Sequence, residues 1–169
     1  MSLRMLIALI VVLAAAAVGR EVLGGDGGGG TGDGTGGEAR VVKVVDGDTI
    51  HVTIGGRREK VRYIGVDTPE TQHPTKGQQC FGTAAAAFNE RLVGGQRVRL
   101  ERDVEERDRY GRLLAYVYRE RDGLFVNAEL ARRGYAQPLT IPPDVRHAER
   151  FVALARAARR GGHGLWGAC

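Results

Sequence analysis

The sequence predicts a mainly β domain: a small five-stranded barrel with α-helices packed on it. Three observations favour this fold class. Residues 40–66 form three strand-like runs joined by short glycine-containing turns. Two more runs of this kind follow at residues 96–100 and 113–118. Between and after them, apolar residues recur at helical spacing. Sequential strands with short connections and a few helices are typical of such barrels, and we expect neighbouring strands to run antiparallel.

The first 38 residues differ from the rest of the chain. One arginine precedes an uninterrupted apolar run at residues 5–18, which is shorter than the roughly 20 residues that span a bilayer. Residues 1–23 are therefore predicted to be a signal peptide, with an uncleaved membrane anchor as the alternative. Residues 24–38 are glycine-rich and predicted to be a flexible linker. Residues 39–169 form the predicted domain, exported and either secreted or tethered to the outer face of the cytoplasmic membrane.

The first predicted strand covers residues 40–46, and an Asp-Gly turn leads into the second at residues 50–54. A Gly-Gly turn then leads into the third, residues 60–66, which we expect to end near Asp67 because Pro69 cannot donate to a sheet. Asp48 begins the second strand and Asp67 ends the third. Since these strands are antiparallel neighbours, the two carboxylates are predicted to meet at one end of the sheet.

Three helices are predicted on the remaining chain. Residues 83–93 form an alanine-rich helix that two glycines end, and residues 126–133 form a short helix closed by Gly134. A longer helix is predicted to start at residues 142–144, with an apolar stripe that includes Phe151 and Ala155. The charged segment 101–112, between the last two strands, is predicted to be mostly a solvated loop.

The charge of the chain indicates which classes of binding partner it favours, and its cysteines bear on the cellular compartment. The whole chain carries a formal charge of +5, and the acidic residues of the first 38 positions leave +7 on residues 39–169. A basic domain favours polyanions such as nucleic acid or an anionic surface, although such an excess often serves solubility alone. Cys80 and Cys169 could form a disulfide in an exported protein, or remain two free thiols.

Two acidic groups at the end of the third strand indicate a metal site. Asp67 and Glu70 lie on a loop that a rigid strand supports, and the nearby Arg62 cannot neutralise both carboxylates. Taken alone, Asp46-Gly47-Asp48 is an ordinary hairpin turn, and residues 67–70 are an ordinary turn or helix entry. Their combination in one order is what favours a site.

Five segments together resemble the staphylococcal-nuclease-like, or thermonuclease, domain family over nearly all of residues 39–166. They read VVDGDTI from Val44, VRYIGVDTPET from Val61, DRYGRLLAY from Asp108, VNAELARRG from Val126 and GLW from Gly164. The resemblance implies a five-stranded OB-fold Greek-key barrel with about three packed helices. It also implies a calcium ion and the hydrolysis of phosphodiester bonds in DNA and RNA. No protein partner is implied, and we expect a monomer.

The resemblance also carries residue roles. It implies Asp48, Asp67 and the Thr68 carbonyl as ligands of Ca²⁺, oxygen donors of the kind that this ion prefers. Glu70 corresponds to the carboxylate beside the attacking water, and Arg62 and Arg112 to the arginines that bind the phosphate and stabilise its transition state. Tyr110 and Lys76 match residues near the substrate. The last two are expected to be binding, not catalytic, residues.

Two rival interpretations remain. A barrel that binds nucleic acid without cutting it is one, and a tethered surface-interaction domain is the other. The presence of all three acids and both arginines favours the enzyme. The chain departs from the family at residues 137–142, where two base-stacking tyrosines are missing. Since stacking contributes roughly 1 to 3 kcal/mol per base, we expect weaker or less base-selective binding.

Overall fold

The computed structural model describes residues 38–71, 77 and 79–169. The predicted signal segment, the linker up to residue 37 and Lys76 lie outside the described residues. Of the part of the chain that is described, no helix is both long and apolar enough to cross a membrane.

The described residues contain seven strands, five of which close into a barrel. The strands are β1 Glu38–Val44, β2 Thr49–Ile54, β3 Arg57–Tyr63, β4 Val66–Asp67, β5 Arg97–Glu101, β6 Leu113–Arg119 and β7 Gln137–Pro138. The barrel has the order β1-β2-β3-β6-β5. Its pairings are antiparallel except for β3 with β6, which is parallel. The expectation of antiparallel neighbours throughout was therefore wrong at this one pair, where a helix and β5 intervene in the chain.

The predicted third strand is two strands in the structure. It ends at Tyr63, and the chain resumes as β4, which pairs with β7 outside the barrel. Gly65 makes the break, because it has φ +81° and a Cβ at this position would collide with the Phe151 ring. The break turns Asp67 away from the barrel strands and towards the surface.

Four helices accompany the barrel in the described part of the chain: α1 Gly82–Val93, α2 Val126–Arg132, α3 Ala148–Arg160 and α4 Leu165–Ala168. α3 begins six residues later than the predicted start at Pro142. The reason is that Asp144 does not cap a helix; its carboxylate accepts hydrogen bonds from the backbone nitrogens of Val104 and Glu105, both at 2.9 Å. Residues 142–147 therefore close the charged loop.

The core lies inside the barrel and extends under α2 and α3. Two buried asparagines, each 0% exposed, connect helices to strands. Asn127 of α2 donates to the carbonyl oxygen of Ile64 at 2.9 Å and accepts from the backbone nitrogen of Val117. This keeps the end of β3 and the middle of β6 side by side. The largest fully buried side chains include Tyr63, Tyr116, Phe151, Ile50 and Leu130.

A disulfide joins Cys80, just before α1, to Cys169, with 6.1 Å between their Cα atoms. It connects the C-terminal residues to the loop that follows Glu70. The end of the last helix is thereby joined to the residue pair that precedes α1.

Candidate active site

The acidic turn between β1 and β2 places Asp48 under the loop that follows β4. Asp48 is 5% exposed, and its Oδ2 accepts hydrogen bonds from the backbone nitrogen and the hydroxyl of Thr68, at 2.7 and 3.0 Å. The two segments can approach this closely because residue 47 is glycine; a Cβ there would lie 2.6 Å from the Thr68 hydroxyl oxygen. The predicted meeting of the two strand ends is thus a direct contact between Asp48 and Thr68.

Arg62 lies between Asp48 and Asp67, two of the three predicted metal ligands. Its Nε is 3.2 Å from Asp48 Oδ1, and one terminal nitrogen donates to Asp67 Oδ1 at 2.8 Å. The other terminal nitrogen donates to the carbonyl oxygens of Tyr63 and Val66, both at 2.7 Å. These contacts hold a guanidinium that is only 12% exposed across the turn from β3 to β4.

Asp46 belongs to this acidic cluster, and the sequence reasoning assigned it no role. Its Oδ1 accepts a hydrogen bond from the backbone nitrogen of Asp48 at 3.0 Å. Burial raises the pKa of Asp46 to about 6, and the charges of Asp48 and Glu70 contribute to the rise. The position of Asp46 as the first acid of the Asp-Gly-Asp turn is a signal that could have identified it.

Asp67, too, has a raised pKa. Desolvation raises the pKa of Asp67, and Asp48 adds to this rise, while Arg62 opposes it. Asp48 and Asp67 contact the Arg62 guanidinium, and Asp46 and Glu70 lie close enough for their charges to interact, so the acids of this cluster outnumber Arg62. A hard divalent cation fits this imbalance, and carboxylate and carbonyl oxygens are the donors it prefers. Within residues 38–71, 77 and 79–169, no three His, Cys, Asp or Glu side chains could hold a metal by themselves, so main-chain and water oxygens would have to complete the shell.

Glu70 is exposed, and Gln79 holds its backbone. The Glu70 nitrogen donates to Gln79 Oε1 at 2.9 Å, and the Gln79 nitrogen donates to the Glu70 carbonyl oxygen at 3.0 Å. Sequence reasoning missed Gln79. It also missed Asn89 of α1, which donates to the Asp46 carbonyl oxygen and accepts from the Tyr63 hydroxyl, both at 3.0 Å. A polar residue on the apolar face of a helix was the signal for Asn89.

A cleft of about 480 Å³ opens beside this cluster, and Arg62 belongs to both. Arg112 lines the same cleft, with its Nε donating to Asp108 Oδ2 at 2.6 Å. Among the described residues, the two terminal nitrogens of Arg112 have no hydrogen-bond partner. Tyr110, 67% exposed, also lines the cleft, and its ring lies 5.4 Å from the Arg112 guanidinium carbon. Arg109 lines the cleft as well, so three arginines and an exposed aromatic ring face one opening.

Part of the cleft lining is aliphatic. Leu139 and Ile141, from the segment that lacks the family's tyrosines, line the cleft together with Leu114 of β6. Leu139 is 38% and Ile141 59% exposed. A flat group entering here would contact one tyrosine and branched aliphatic side chains.

Comparison with known proteins shows which family the chain belongs to. A family model described as staphylococcal nuclease homologue matches residues 60–168. A thermonuclease of Staphylococcus intermedius is 42% identical over 131 residues, 77% of each chain, and one of Staphylococcus hyicus is 39% identical over 127 residues, 75% of this chain and 74% of the relative.

Endonuclease YncB of Bacillus subtilis strain 168 is 37% identical over 126 residues, which are 73% of this chain and 59% of the relative. The closed barrel, which the resemblance implied, is consistent with the family's OB fold. A barrel with this topology, a family match over more than half of the chain, and relatives named as nucleases together make the protein a nuclease, a hydrolase whose substrates are nucleic acids, and a member of the staphylococcal nuclease family.

Proposed function

We propose that the protein is an exported, calcium-dependent nuclease that hydrolyses phosphodiester bonds in DNA and RNA at the cleft between Arg62 and Arg112. The observation that carries the proposal is the position of Arg62, which contacts Asp48 and Asp67 on one side and lines the cleft with Arg112 on the other. A phosphate in the cleft would lie between two guanidiniums and next to a cluster of acids.

The roles of the two arginines differ. The terminal nitrogens of Arg112 can bind two phosphoryl oxygens at once, while its Nε stays on Asp108. Arg62 uses most of its donors within the protein and presents a fixed positive charge to the substrate. Together they oppose the negative charge that develops when water attacks phosphorus. Arg112 can also assist the leaving oxygen.

Glu70 would accept the proton of the attacking water, as the P–O bond breaks and the leaving oxygen takes up a proton. Asp48, Asp67 and the Thr68 carbonyl would hold Ca²⁺, which when bound polarises a phosphoryl oxygen and binds the attacking water. Tyr110 would contact the substrate phosphate, and Lys76 is proposed as a further phosphate contact. The aliphatic wall at Leu139 supports weaker base selectivity than aromatic residues would provide.

The decisive experiment incubates the purified full chain with single-stranded DNA and with RNA, first with Ca²⁺ and then with a chelator. Cleavage that requires Ca²⁺ is expected, and Glu70→Gln and Arg112→Ala should each reduce kcat by at least about a hundredfold. Binding without cleavage at any Ca²⁺ concentration would instead support a binding module. A thermal shift experiment measures Ca²⁺ binding independently of cleavage. Ca²⁺ should raise the Tm of the native protein but not that of Asp67→Asn.

Export is proposed on two observations. The N-terminal apolar run suits a signal peptide or an anchor, and the Cys80–Cys169 disulfide is of a kind that persists in oxidising compartments. Fractionation of cells that produce the full chain tests this. Protein in the medium or on the outer face of the membrane is the expected result, and protein confined to the cytoplasm would contradict it.

A further inference from the structure

Three arginines lie over a group of aromatic rings beside the cleft. The guanidinium carbon of Arg99 is 4.5 Å from the Tyr118 ring centre, that of Arg146 is 5.7 Å from Tyr116, and that of Arg150 is 5.2 Å from Phe125. All three arginines act electrostatically on Tyr118. They come from β5, the loop before α3, and α3, so the tertiary fold alone assembles them. We call them the arginine row.

The row is continuous with the cleft along strand β6. Side chains at alternate positions of a strand face the same side, so Leu114, Tyr116 and Tyr118 share one face of β6. Leu114 lines the cleft, and Tyr118 lies about 13 Å further along the strand at about 3.3 Å per residue. Arg99 is the direct cross-strand neighbour of Tyr118. Because Tyr116 is 0% exposed, this face itself is covered, and a strand of nucleic acid leaving the cleft in this direction would pass over the arginines that cover it.

The loop that bears Arg146 is also tied to the wall of the cleft. Asp103 accepts hydrogen bonds from the backbone nitrogen of Arg146 at 3.0 Å and from the Tyr116 hydroxyl at 2.7 Å. Asp144, two residues before Arg146, lines the cleft. Arg146 therefore occupies a fixed position immediately beyond the opening.

The row keeps positive charge available to a ligand. Arg99 pairs with Glu101, and Arg146 lies 3.4 Å from Asp103, but Arg99 and Arg146 remain 46% and 47% exposed. Asp103 itself is only 8% exposed and is shared with Tyr116. Arg150 has no carboxylate partner among the described residues. Three guanidiniums thus outnumber the two acids that accompany them.

Taking the nuclease activity at the cleft as its basis, we propose that the arginine row binds the phosphodiester backbone of a nucleic-acid strand beyond the nucleotides at the cleavage site. Exposed arginines on aromatic rings suit this ligand, since the planar guanidinium binds phosphate oxygens with its edge while its face stays on the ring. The row would therefore favour long substrates over short ones.

The test compares a long single-stranded oligonucleotide with a dinucleotide as substrates of the full chain. The variant combines Arg99→Gln, Arg146→Gln and Arg150→Gln, and a matched control combines Arg57→Gln, Arg58→Gln and Arg133→Gln, which are exposed arginines elsewhere. The ratio of kcat/KM for the long strand to that for the dinucleotide should fall about tenfold in the row variant only.

The salt dependence gives a second readout. Removing one arginine that neutralises a phosphate of a single strand lowers the slope of log affinity against log salt concentration by about 0.7, so the slope of the row variant should be smaller by about 2. Equal changes in both triple variants, or an unchanged ratio with intact dinucleotide cleavage, would overturn the inference. A row variant that binds anionic vesicles more weakly but oligonucleotides as well as the native chain would also overturn it. If the native chain cleaves neither substrate, the proposed function itself fails.

Should the triple variant fold poorly, Arg150→Gln alone serves as the test, because no carboxylate of the described residues pairs with this side chain. A two- to threefold fall in the same ratio is expected, and no change would contradict the proposal.

Discussion

The backbone of Glu70 is held by Gln79 through two hydrogen bonds, one to the Gln79 side chain and one from its backbone nitrogen. Gln79 adjoins Cys80, which the disulfide joins to Cys169. The proposed general base is therefore positioned by the far end of its own loop and, through one covalent bond, by the C-terminal residues.

Gln79→Ala is expected to lower kcat without unfolding the protein. A hydrogen bond of this kind contributes about 1 kcal/mol, which corresponds to about a fivefold fall in kcat if all of it serves to position Glu70. The measurement is kcat on single-stranded DNA at saturating Ca²⁺, with Gln96→Ala as the control. A kcat equal to that of the control would show that Gln79 does not position the base.

Arg62 and Arg112 should contribute differently to the stability of the domain. Arg62→Ala leaves Asp48, which is 5% exposed, without its cation, so unfolding free energy should fall by about 3 kcal/mol as well as activity. Arg112→Ala breaks a pair whose side chains are 26% and 16% exposed, and should cost about 1 kcal/mol while abolishing most activity. Urea unfolding without Ca²⁺ measures both, and equal decreases would contradict the difference in roles.

Breaking the disulfide should destabilise the domain more than any single surface change. The bond closes a loop with a sequence separation of 89 residues, for which a decrease of about 2 to 5 kcal/mol is typical. Cys80→Ser with Cys169→Ser should lower the Tm, and a reductant should lower the Tm of the native protein to the same value. A native Tm that is insensitive to the reductant under unfolding conditions would argue that the bond does not stabilise the fold.

His147 should make the domain less stable as the pH falls. Burial lowers the pKa of His147 below 6.5, and Arg146 and Arg150 lower it further against the opposing charges of Glu101 and Asp103. Below pH 6.5 the unfolded chain therefore binds more protons at this residue than the folded chain does, so stability decreases on acidification.

The measurement is the unfolding free energy at pH 7.5 and at pH 5.5 for the native protein and for His147→Gln. The variant should lose less stability between these two pH values, since it has no imidazole to protonate in the unfolded state. The ring lies among Tyr116, Phe125 and Phe151, so the variant is expected to be less stable at both. An equal decrease in the two proteins would exclude His147 as the cause.

Particular elements show how much of the structure can be predicted from the sequence. The Asp-Gly-Asp turn and the short connections are local signals, so strands β1 to β3 and the approach of Asp48 to the loop at Thr68 were predicted close to their places. The early start of α3 was wrong because Asp144 caps the backbone of residues 104 and 105, a contact 40 residues away in the chain. No local sequence pattern predicts a hydrogen-bond partner that is so distant in the chain.

The sequence by itself predicted the barrel and named Asp48, Arg62, Asp67, Glu70 and Arg112 as candidate site residues, because turns, periodicity and the five segments are all encoded by near neighbours. It did not identify Asp46, Gln79 or Asn89. Only the tertiary structure decided that Arg62 lies between Asp48 and Asp67, that Gln79 holds Glu70, and that Arg99, Arg146 and Arg150 gather beside the cleft. Each of these depends on the break at Gly65, the parallel pair of β3 with β6, or the packing of α3. These contacts join segments that are far apart in the sequence. Burial and charge can stabilise them only when the folded chain brings the segments together.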